Sequence, residues 1–443
     1  MRARGLTALC STIGVAAAAL VCGAAPAMAK PLHVLYPGHY GSPPTTSQCV
    51  ASNGIACYAP YQFQRAYDMW PLYNKGLTGA GKTIVLVDSY GSPTIASDLA
   101  TFDKAYKLPA PPSFKVIQPD GPVPPFNPAN GTEVGWAEET SLDVEYSHTM
   151  APGANILLVE TPIAETEGVH GFPEIVEAEN YVINHGLGDV ISQSFGATEQ
   201  TFPSRTALLA LRGAYENAEA HGVTVLASTG DTGAANYEKS GASLYPFKAV
   251  GWPASDPLVT AVGGTQLHLN NAGARTAPDN VWNDGNLCGS IQCAGSGGVS
   301  AVFSRPFYQD GVAGVVGAQR GIPDISMSAA VNGGALVYMS FGGIDGPGYY
   351  IIGGTSEASP EFSGIVAVAD QAAGHDLGLL NPSLYAIGDG PSSGIVDITL
   401  GNNTVTLPTG ATLLGYNAVP GYDLASGLGT SDGAQLVAAL AAH

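Results

Sequence analysis

Lys82-Thr-Ile-Val-Leu-Val-Asp88 is a short, continuous apolar run that ends in a carboxylate, and it decides the fold class. Such runs are typical of strands that are buried on both faces of a parallel sheet. Similar runs follow at Asn155–Glu160, Asp189–Ser194 and Val223–Ser228. Segments with helical periodicity lie around them, at Glu138–His148, Pro173–Asn184 and Ser204–His221. The alternation predicts an α/β fold, with a mostly parallel sheet and helices on both faces.

The chain of 443 residues shows no repeat and no linker that would divide it after residue 58. Residues 1–29 are predicted to be a signal peptide, because two arginines precede an apolar stretch and Ala27-Met28-Ala29 fits a cleavage site. Residues 30–57 are rich in Pro, Gly, Ser and Thr, and predict a short irregular N-terminal segment. We expect residues 58–443 to form a single large domain.

The composition is acidic but poor in charge. The chain has 16 Lys and Arg against 36 Asp and Glu, a formal net charge of −20 at pH 7, and only 12% charged residues. This balance excludes a basic nucleic-acid binder and a polybasic membrane anchor. Because carboxylates lose their charge near their ordinary pKa values of about 4, we interpret the surface as suited to acid. A soluble acidic protein with no such adaptation is the alternative.

Four cysteines remain after the predicted signal peptide, as two close pairs: Cys49 with Cys57, and Cys288 with Cys293. We expect the chain to be secreted, and an exported chain permits disulfides. Pairing between neighbours is the simplest of three connectivities, although the sequence does not prove it. The spacing is looser than that of typical zinc sites, which makes zinc the weaker alternative.

A candidate nucleophile lies in Gly353-Gly-Thr-Ser-Glu-Ala-Ser-Pro360, which follows a predicted strand and opens a helix predicted from Ser356 to about Ala372. Unpaired N–H groups and the positive end of the helix dipole favour developing negative charge at this position. Ser356 at such a helix start can therefore act as a nucleophile, with its own N–H helping to hold an oxyanion. A simple capping residue is the alternative.

A histidine base for Ser356 is not evident. The nearest approach to the subtilisin histidine pattern, His170-Gly171-Phe172-Pro173, does not match it, and we interpret His148 and His221 as packing or surface residues. Carboxylates are the other option. Glu139 and Asp143 are four residues apart on a predicted helix, so they share a face.

In a buried cleft, such a pair would share a proton and could act as a base in acid, where histidine would be protonated. A solvated acidic helix face is the alternative for Glu139 and Asp143, and we expect Glu138 and Glu145 to face solvent. A third carboxylate, Asp231, lies in the turn Ala227-Ser-Thr-Gly-Asp-Thr-Gly233 after a predicted strand. Asp231 could stabilise an oxyanion only when protonated. An ordinary turn is the alternative.

Together these segments resemble the sedolisin family, the serine-carboxyl peptidases, over nearly the whole chain from about Tyr58. The resemblance implies a subtilisin-like fold, with Ser356 as nucleophile and Glu139 as general base and acid. It also implies that Asp143 orients Glu139 and shares its proton, and that Asp231 helps to stabilise the oxyanion. The expected function is hydrolysis of peptide bonds in acid, and the sequence does not decide between an endopeptidase and a tripeptidyl-peptidase.

The same resemblance implies one structural calcium ion near the C-terminus. Its ligands would be the carboxylates of Asp397 and Asp423 and the backbone carbonyls of Ile398, Val419 and Gly421. The family usually has Gly where this chain has Val419, so the backbone there must suit a β-branched residue. Plain turn residues are the alternative for the two aspartates.

Two features depart from the family pattern. Phe195 stands where many relatives have Trp, a change that we expect to affect the substrate cleft. Only 28 residues lie between Ala29 and Tyr58, where the family usually has a long pro-domain.

Two alternative functions remain: a catalytically silent binding protein on this scaffold, and a subtilisin-like peptidase that uses Asp88 with a histidine. We expect protein or peptide substrates, no nucleic-acid or membrane partner, and a monomer.

Overall fold

The structure is a computed structural model that describes residues 34–288, 292–388 and 393–443. The predicted signal peptide at 1–29 lies outside these residues. The helices of the described residues are α1 (Thr46–Asn53), α2 (Pro60–Ala66), α3 (Trp70–Tyr73), α4 (Ile95–Tyr106), α5 (Gly131–Met150), α6 (Phe172–Asn184), α7 (Arg205–Leu209), α8 (Gly213–His221), α9 (Ala313–Val316), α10 (Thr355–Ala373), α11 (Asn381–Ile387) and α12 (Gly433–Leu440). Short 3₁₀ helices span Glu199–Thr201, Asn286–Cys288 and Phe307–Val312.

The strands are β1 (Val34–Leu35), β2 (Cys57–Tyr58), β3 (Thr83–Ser89), β4 (Phe114–Ile117), β5 (Asn155–Thr161), β6 (Val190–Gln193), β7 (Ala197–Thr198), β8 (Thr224–Ser228), β9 (Gly251–Trp252), β10 (Thr260–Gln266), β11 (Asn280–Val281), β12 (Asn283–Gly285), β13 (Cys293–Ala294), β14 (Gly298–Ser304), β15 (Gln319–Ile322), β16 (Ile325–Ser328), β17 (Gly334–Met339), β18 (Gly348–Gly353), β19 (Ile395–Val396), β20 (Val405–Thr406), β21 (Thr412–Leu413) and β22 (Thr430–Ser431). The eight-stranded main sheet has the order β11-β10-β8-β6-β3-β5-β4, with β16 also paired to β10. All its pairings are parallel except β10 with β11. The predicted mostly parallel sheet is confirmed.

Strand β3 shows why the sheet needs helices on both faces. Ile84 and Leu86 point into the core cluster that includes α5 and α10. Val85 and Val87 point into the opposite cluster, which includes α6 and α8. Successive side chains of a strand alternate between faces, so a continuous apolar run is buried on both sides only when both faces are covered. Each such side chain contributes about 1.5–3 kcal/mol when it is fully buried.

The predicted helix Ser204–His221 is wrong in one respect, because the chain breaks there into α7 and α8. Ser204 caps α7 through a hydrogen bond from the Ala207 N–H to its Oγ at 3.1 Å. At the break, Arg212 turns to the buried Asp256 and donates from Nε at 2.6 Å and from Nη2 at 2.9 Å. Gly213 then starts α8, and glycine in place of a better helix former weakens a continuous helix.

The segment 30–57 is also more regular than predicted, because it contains helix α1. Thr45 and Gln48 form a capping box at its start. A disulfide between Cys49 and Cys57, with Cα atoms 5.9 Å apart, ties the helix to β2. The second disulfide joins Cys288 and Cys293, with Cα atoms 5.8 Å apart, so the predicted neighbour pairing is confirmed.

Helices α5 and α10 pack directly against each other and against one face of the main sheet. This arrangement brings the predicted acid pair on α5 to the same layer as the predicted nucleophile on α10. Among the described residues, we find no helix with the length and apolar character that a membrane crossing requires.

Candidate active site

The predicted nucleophile lies in the first turn of α10. Gly354 precedes the helix with φ of 119°, a backbone conformation that side chains disfavour, and this allows a sharp entry from β18. Ser356 is buried, and within the described residues its Oγ makes no hydrogen bond. In the first turn, the Thr355 N–H donates to Asp231 and the Glu357 N–H donates to the Gly354 carbonyl, so the Ser356 N–H is the donor that is placed for a developing oxyanion.

Asp231 is brought to this helix start, as predicted. It lies just beyond the carboxyl end of β8, and its Oδ1 accepts from the N–H and from the Oγ1 of Thr355, both at 2.8 Å. The Gly230 N–H in turn donates to Thr355 Oγ1 at 2.9 Å. Since Oδ1 already accepts two hydrogen bonds, a proton on this carboxyl group would lie on Oδ2. Asp231 is therefore fixed beside the residue that precedes Ser356.

The acid pair is buried, which overturns the alternative of a solvated helix face. Glu139 and Asp143 both have fully buried side chains on α5. The prediction that Glu145 faces solvent is wrong, because Glu145 is buried against β17 and accepts from the Tyr338 N–H at 2.9 Å. Glu138 is half-buried. Polar side chains dominate this helix, so the sequence alone did not indicate that both of its sides are covered.

Asp88 joins the acid pair from the carboxyl end of β3. Burial and the nearby Glu139 raise the pKa of Asp88 well above its ordinary value. The pKa of Asp143 is likewise raised by burial, by Asp88 and by Glu139, with which it shares a hydrogen bond. A hydrogen bond from Ser194 Oγ, at 3.1 Å from Asp143 Oδ1, opposes that rise. Burial and the neighbouring carboxyl groups therefore favour the protonated forms of Asp88 and Asp143.

Glu165 is a fourth buried carboxyl group, which the sequence reasoning missed. It lies in the loop after β5, and burial raises its pKa well above the ordinary value, with contributions from Glu167, Glu139 and Asp88. The position of Glu165 relative to the predicted strands could have indicated it. Asp88 lies at the carboxyl end of β3 and Glu165 follows the neighbouring parallel strand β5, and the carboxyl ends of such strands meet at one edge of the sheet.

The histidines do not supply an alternative base in the places that the sequence offered. His170 is exposed, and its carbonyl accepts from the Thr166 N–H at 3.0 Å. His148 is buried, with Nε2 2.7 Å from the Pro109 carbonyl and 3.3 Å from Asp103 Oδ1, while His221 is exposed. The interpretation of His148 and His221 as packing and surface residues is confirmed.

Phe195, the residue that departs from the family pattern, lies in a buried aromatic cluster. Its ring centroid is 6.3 Å from that of Trp136 on α5 and 6.3 Å from that of Phe172 on α6. Unlike tryptophan, phenylalanine in this position has no indole N–H to donate.

The predicted calcium ligands lie in two segments near the C-terminus, at 397–398 after β19 and at 419–423, and hydrogen bonds link the two. Asp423 Oδ2 accepts from the Val419 N–H and Asp397 Oδ2 accepts from the Gly421 N–H, both at 2.9 Å. Across the described ranges, no group of three or more His, Cys, Asp or Glu side chains could hold a metal ion. A cation here would therefore depend on the two carboxylates and on backbone carbonyls such as that of the buried Ile398. Such an all-oxygen set suits calcium.

The sequence is similar to known proteins over most of its length. A profile of the subtilase family matches residues 129–387. Kumamolisin from Bacillus sp. (strain MN-32) is 33% identical over 390 residues, which cover 86% of this chain and 63% of the relative. Sedolisin from Pseudomonas sp. (strain 101) is 30% identical over 394 residues, which cover 89% and 63%. Human tripeptidyl-peptidase 1 is 29% identical over 307 residues, which cover 66% and 50%.

The chain thus spans 63% of the length of kumamolisin and of sedolisin. Among solved structures, the fold matches Pseudomonas sedolisin, a serine-carboxyl proteinase complexed with two molecules of pseudo-iodotyrostatin. That match has a TM-score of 0.74 and 30% identity, and covers 88% of this chain and 99% of that one. The chain therefore belongs to the sedolisin family and has the subtilisin-like fold of the subtilases.

Proposed function

We propose that this protein is an acid-active serine-type peptidase that hydrolyses peptide bonds in proteins or peptides. The observation that carries the proposal is the buried Glu139–Asp143 pair on α5, the helix that packs against α10, whose first turn holds Ser356. Asp231 adds support, because it is hydrogen-bonded to the residue before Ser356. The names of the relatives, serine-carboxyl proteinase and tripeptidyl-peptidase, agree with this chemistry and leave internal and N-terminal cleavage both open.

In the proposed reaction, Glu139 removes the proton from Ser356 Oγ as Oγ attacks the carbonyl carbon of the scissile bond. The carbonyl electron pair moves to oxygen, and the resulting oxyanion accepts hydrogen bonds from the Ser356 N–H and from protonated Asp231. Glu139 then gives its proton to the leaving amine as the C–N bond breaks. Water hydrolyses the acyl-enzyme ester by the same steps, with Glu139 again as base.

The acidic pH range follows from the number of carboxyl groups that must hold protons. Burial, Asp88 and Glu139 raise the pKa of Asp143, so Asp143 keeps its proton at a pH where an exposed aspartate has lost it. Asp231 must also be protonated to donate to an oxyanion. As the pH rises, these protons leave, and the site accumulates negative charge that opposes the reaction.

We also propose that one calcium ion stabilises the C-terminal loop. Asp397 and Asp423 would supply carboxylate ligands, and Ile398, Val419 and Gly421 would supply backbone carbonyls. Asp423 accepts from the N–H groups of Val419, Ala425 and Ser426 and from Ser426 Oγ, and Asp397 accepts from the Gly421 N–H. A bound calcium ion would supply positive charge there and tie β19 to the loop that follows residue 418.

We propose that the protein is exported and acts as a monomer outside the cell. Support comes from the signal-like sequence at 1–29, which lies outside the described residues, and from two disulfides, which are typical of oxidising compartments. The net charge of −20 disfavours nucleic-acid partners.

The test is hydrolysis of a denatured protein substrate, with calcium present, by the unaltered chain and by three variants. Ser356→Ala and Glu139→Gln should each lower kcat by about 10⁴-fold or more. Glu138→Gln is the matched control, because it neutralises the neighbouring residue on α5 and should keep activity. Normal activity in Ser356→Ala or Glu139→Gln would overturn the residue assignment. No hydrolysis at any pH would favour the catalytically silent binding protein.

A further inference from the structure

Ser194 lies between the acid cluster and the helix that carries the nucleophile. It directly follows β6, and its side chain is fully buried. Its Oγ is 3.1 Å from Asp143 Oδ1 on α5 and 3.5 Å from the backbone carbonyl oxygen of Ser356 on α10. One hydroxyl group therefore contacts both halves of the proposed site.

The Ser356 carbonyl lacks its usual hydrogen-bond donor within α10. In a regular α-helix it would accept from the N–H of the fourth residue onward, but that residue is Pro360, which has no N–H. A buried carbonyl without a partner is costly, so a nearby hydroxyl is a favourable donor. Ser194 has a single proton, so it donates to Asp143 or to the Ser356 carbonyl but not to both at once, and the shorter contact favours Asp143.

The charges that act on Asp143 come from Asp88 on β3 and from Glu139 on its own helix. Glu145 lies on the other side of α5, where it is bonded to the Tyr338 N–H, and His148 faces α4 and Asp103. β6 contributes the Ser194 hydroxyl, and α10 contributes the backbone of Ser356. A donor at Asp143 Oδ1 therefore stabilises the charged form of Asp143 against two neighbouring carboxyl groups.

We propose that Ser194 is a positioning residue of the active site: its hydroxyl donates to Asp143 and orients it for sharing a proton with Glu139, and it lies within reach of the carbonyl that Pro360 leaves without a helical donor. This inference rests on the proposed peptidase function. In this proposal Ser194 does not contact the reacting atoms. It acts through Asp143 and through the backbone of Ser356.

Ser192 offers a matched control. It lies two residues earlier, on the same face of the strand, and its Oγ is 2.8 Å from Ser359 Oγ on α10. Ser192→Ala and Ser194→Ala therefore each remove one buried hydroxyl between β6 and α10. Only the second removes a donor to a carboxyl group. Ser194→Thr keeps the hydroxyl and serves as the conservative variant.

The experiment measures kcat and KM as functions of pH for the unaltered chain and these variants. For Ser194→Ala we expect kcat to fall about tenfold or more with little change in KM, and the loss of activity at high pH to occur at a higher pH. The shift follows because Asp143, without its donor, keeps its proton more tightly. Ser192→Ala should keep the original pH profile, and Ser194→Thr should restore it. Coincident profiles for the two alanine variants would overturn the proposal.

Thermal unfolding gives a second readout that needs no turnover. An acid with a raised pKa in the folded state loses stability as the pH rises, and Ser194→Ala raises the pKa of Asp143 further. The melting temperature of Ser194→Ala should therefore fall increasingly below that of Ser192→Ala between about pH 4 and about pH 7. A constant difference would contradict the proposal even if the unaltered chain were inactive. Absence of Ser356-dependent hydrolysis, in contrast, would contradict the proposed function alone.

Discussion

A substitution at Glu179 tests whether a buried carboxyl group makes the folded chain more stable in acid than at neutral pH. Glu179 lies on α6, outside the set of residues assigned to the proposed site, with 1% of its surface exposed. Within the described residues, neither of its side-chain oxygens makes a hydrogen bond. Burial alone raises its pKa from 4.5 to about 8. Folding therefore favours the protonated form.

The sign and size of the effect follow from this difference in pKa. Below the unfolded value, Glu179 is protonated in both states and costs nothing. As the pH rises toward the folded value, the unfolded chain releases the proton more readily, and folding free energy is lost at about 1.4 kcal/mol per pH unit. By pH 7 the loss is about 3 kcal/mol. Glu179→Gln removes the titration, so this part of the pH dependence should disappear.

The assay is urea unfolding at about pH 4 and about pH 7, which compares how much free energy of unfolding each chain loses between them. The amide in Glu179→Gln costs a similar amount at both pH values, so its own burial cancels in the comparison. Glu177→Gln, an exposed substitution on the same helix, is the control and should behave as the unaltered chain does. Equal losses in Glu179→Gln and the unaltered chain would refute the reasoning.

Three other perturbations give separate tests. Chelation of calcium should lower the melting temperature of the unaltered chain, and Asp397→Asn should lower it without further response to the chelator; an unchanged melt in a freely exchanging sample would make Asp397 and Asp423 plain turn residues. Arg320→Met should lower the free energy of unfolding by about 3–5 kcal/mol in urea titrations, because it leaves Asp324, now bonded at 2.6 Å, buried without its cation. Asp231→Asn keeps a donor at every pH, so its kcat should persist to higher pH than that of the unaltered chain; collapse of kcat across the whole range would contradict the oxyanion role.

The sequence indicated those parts of the proposed site that depend on short motifs of neighbouring residues. Ser356 and Asp231 each lie at the carboxyl end of a strand inside a short glycine-containing motif, so their turns could be recognised without knowledge of the rest of the chain. The apolar run at β3 likewise specified a strand covered on both faces. These features depend on residues that are close in sequence.

The other features of the fold and of the proposed site depend on contacts between segments that are distant in sequence. Glu145 and its neighbours on α5 are polar enough to suggest a solvent-facing helix, and only the packing of β17 and α10 buries them. Asp88 joins Glu139 because β3 lies beside α5, a juxtaposition that no periodicity reveals. The break before Gly213 depends in the same way on the pairing of Arg212 with Asp256, 44 residues later.

The most direct test of the central claim is a pH–rate profile for hydrolysis of a denatured protein substrate. A carboxyl base that shares protons with its neighbours predicts maximal kcat/KM at about pH 3–5, a steep loss toward neutrality, and no Ser356-dependent activity in Glu139→Gln. A neutral or alkaline optimum that persists in Glu139→Gln would contradict the account and would point to a histidine base.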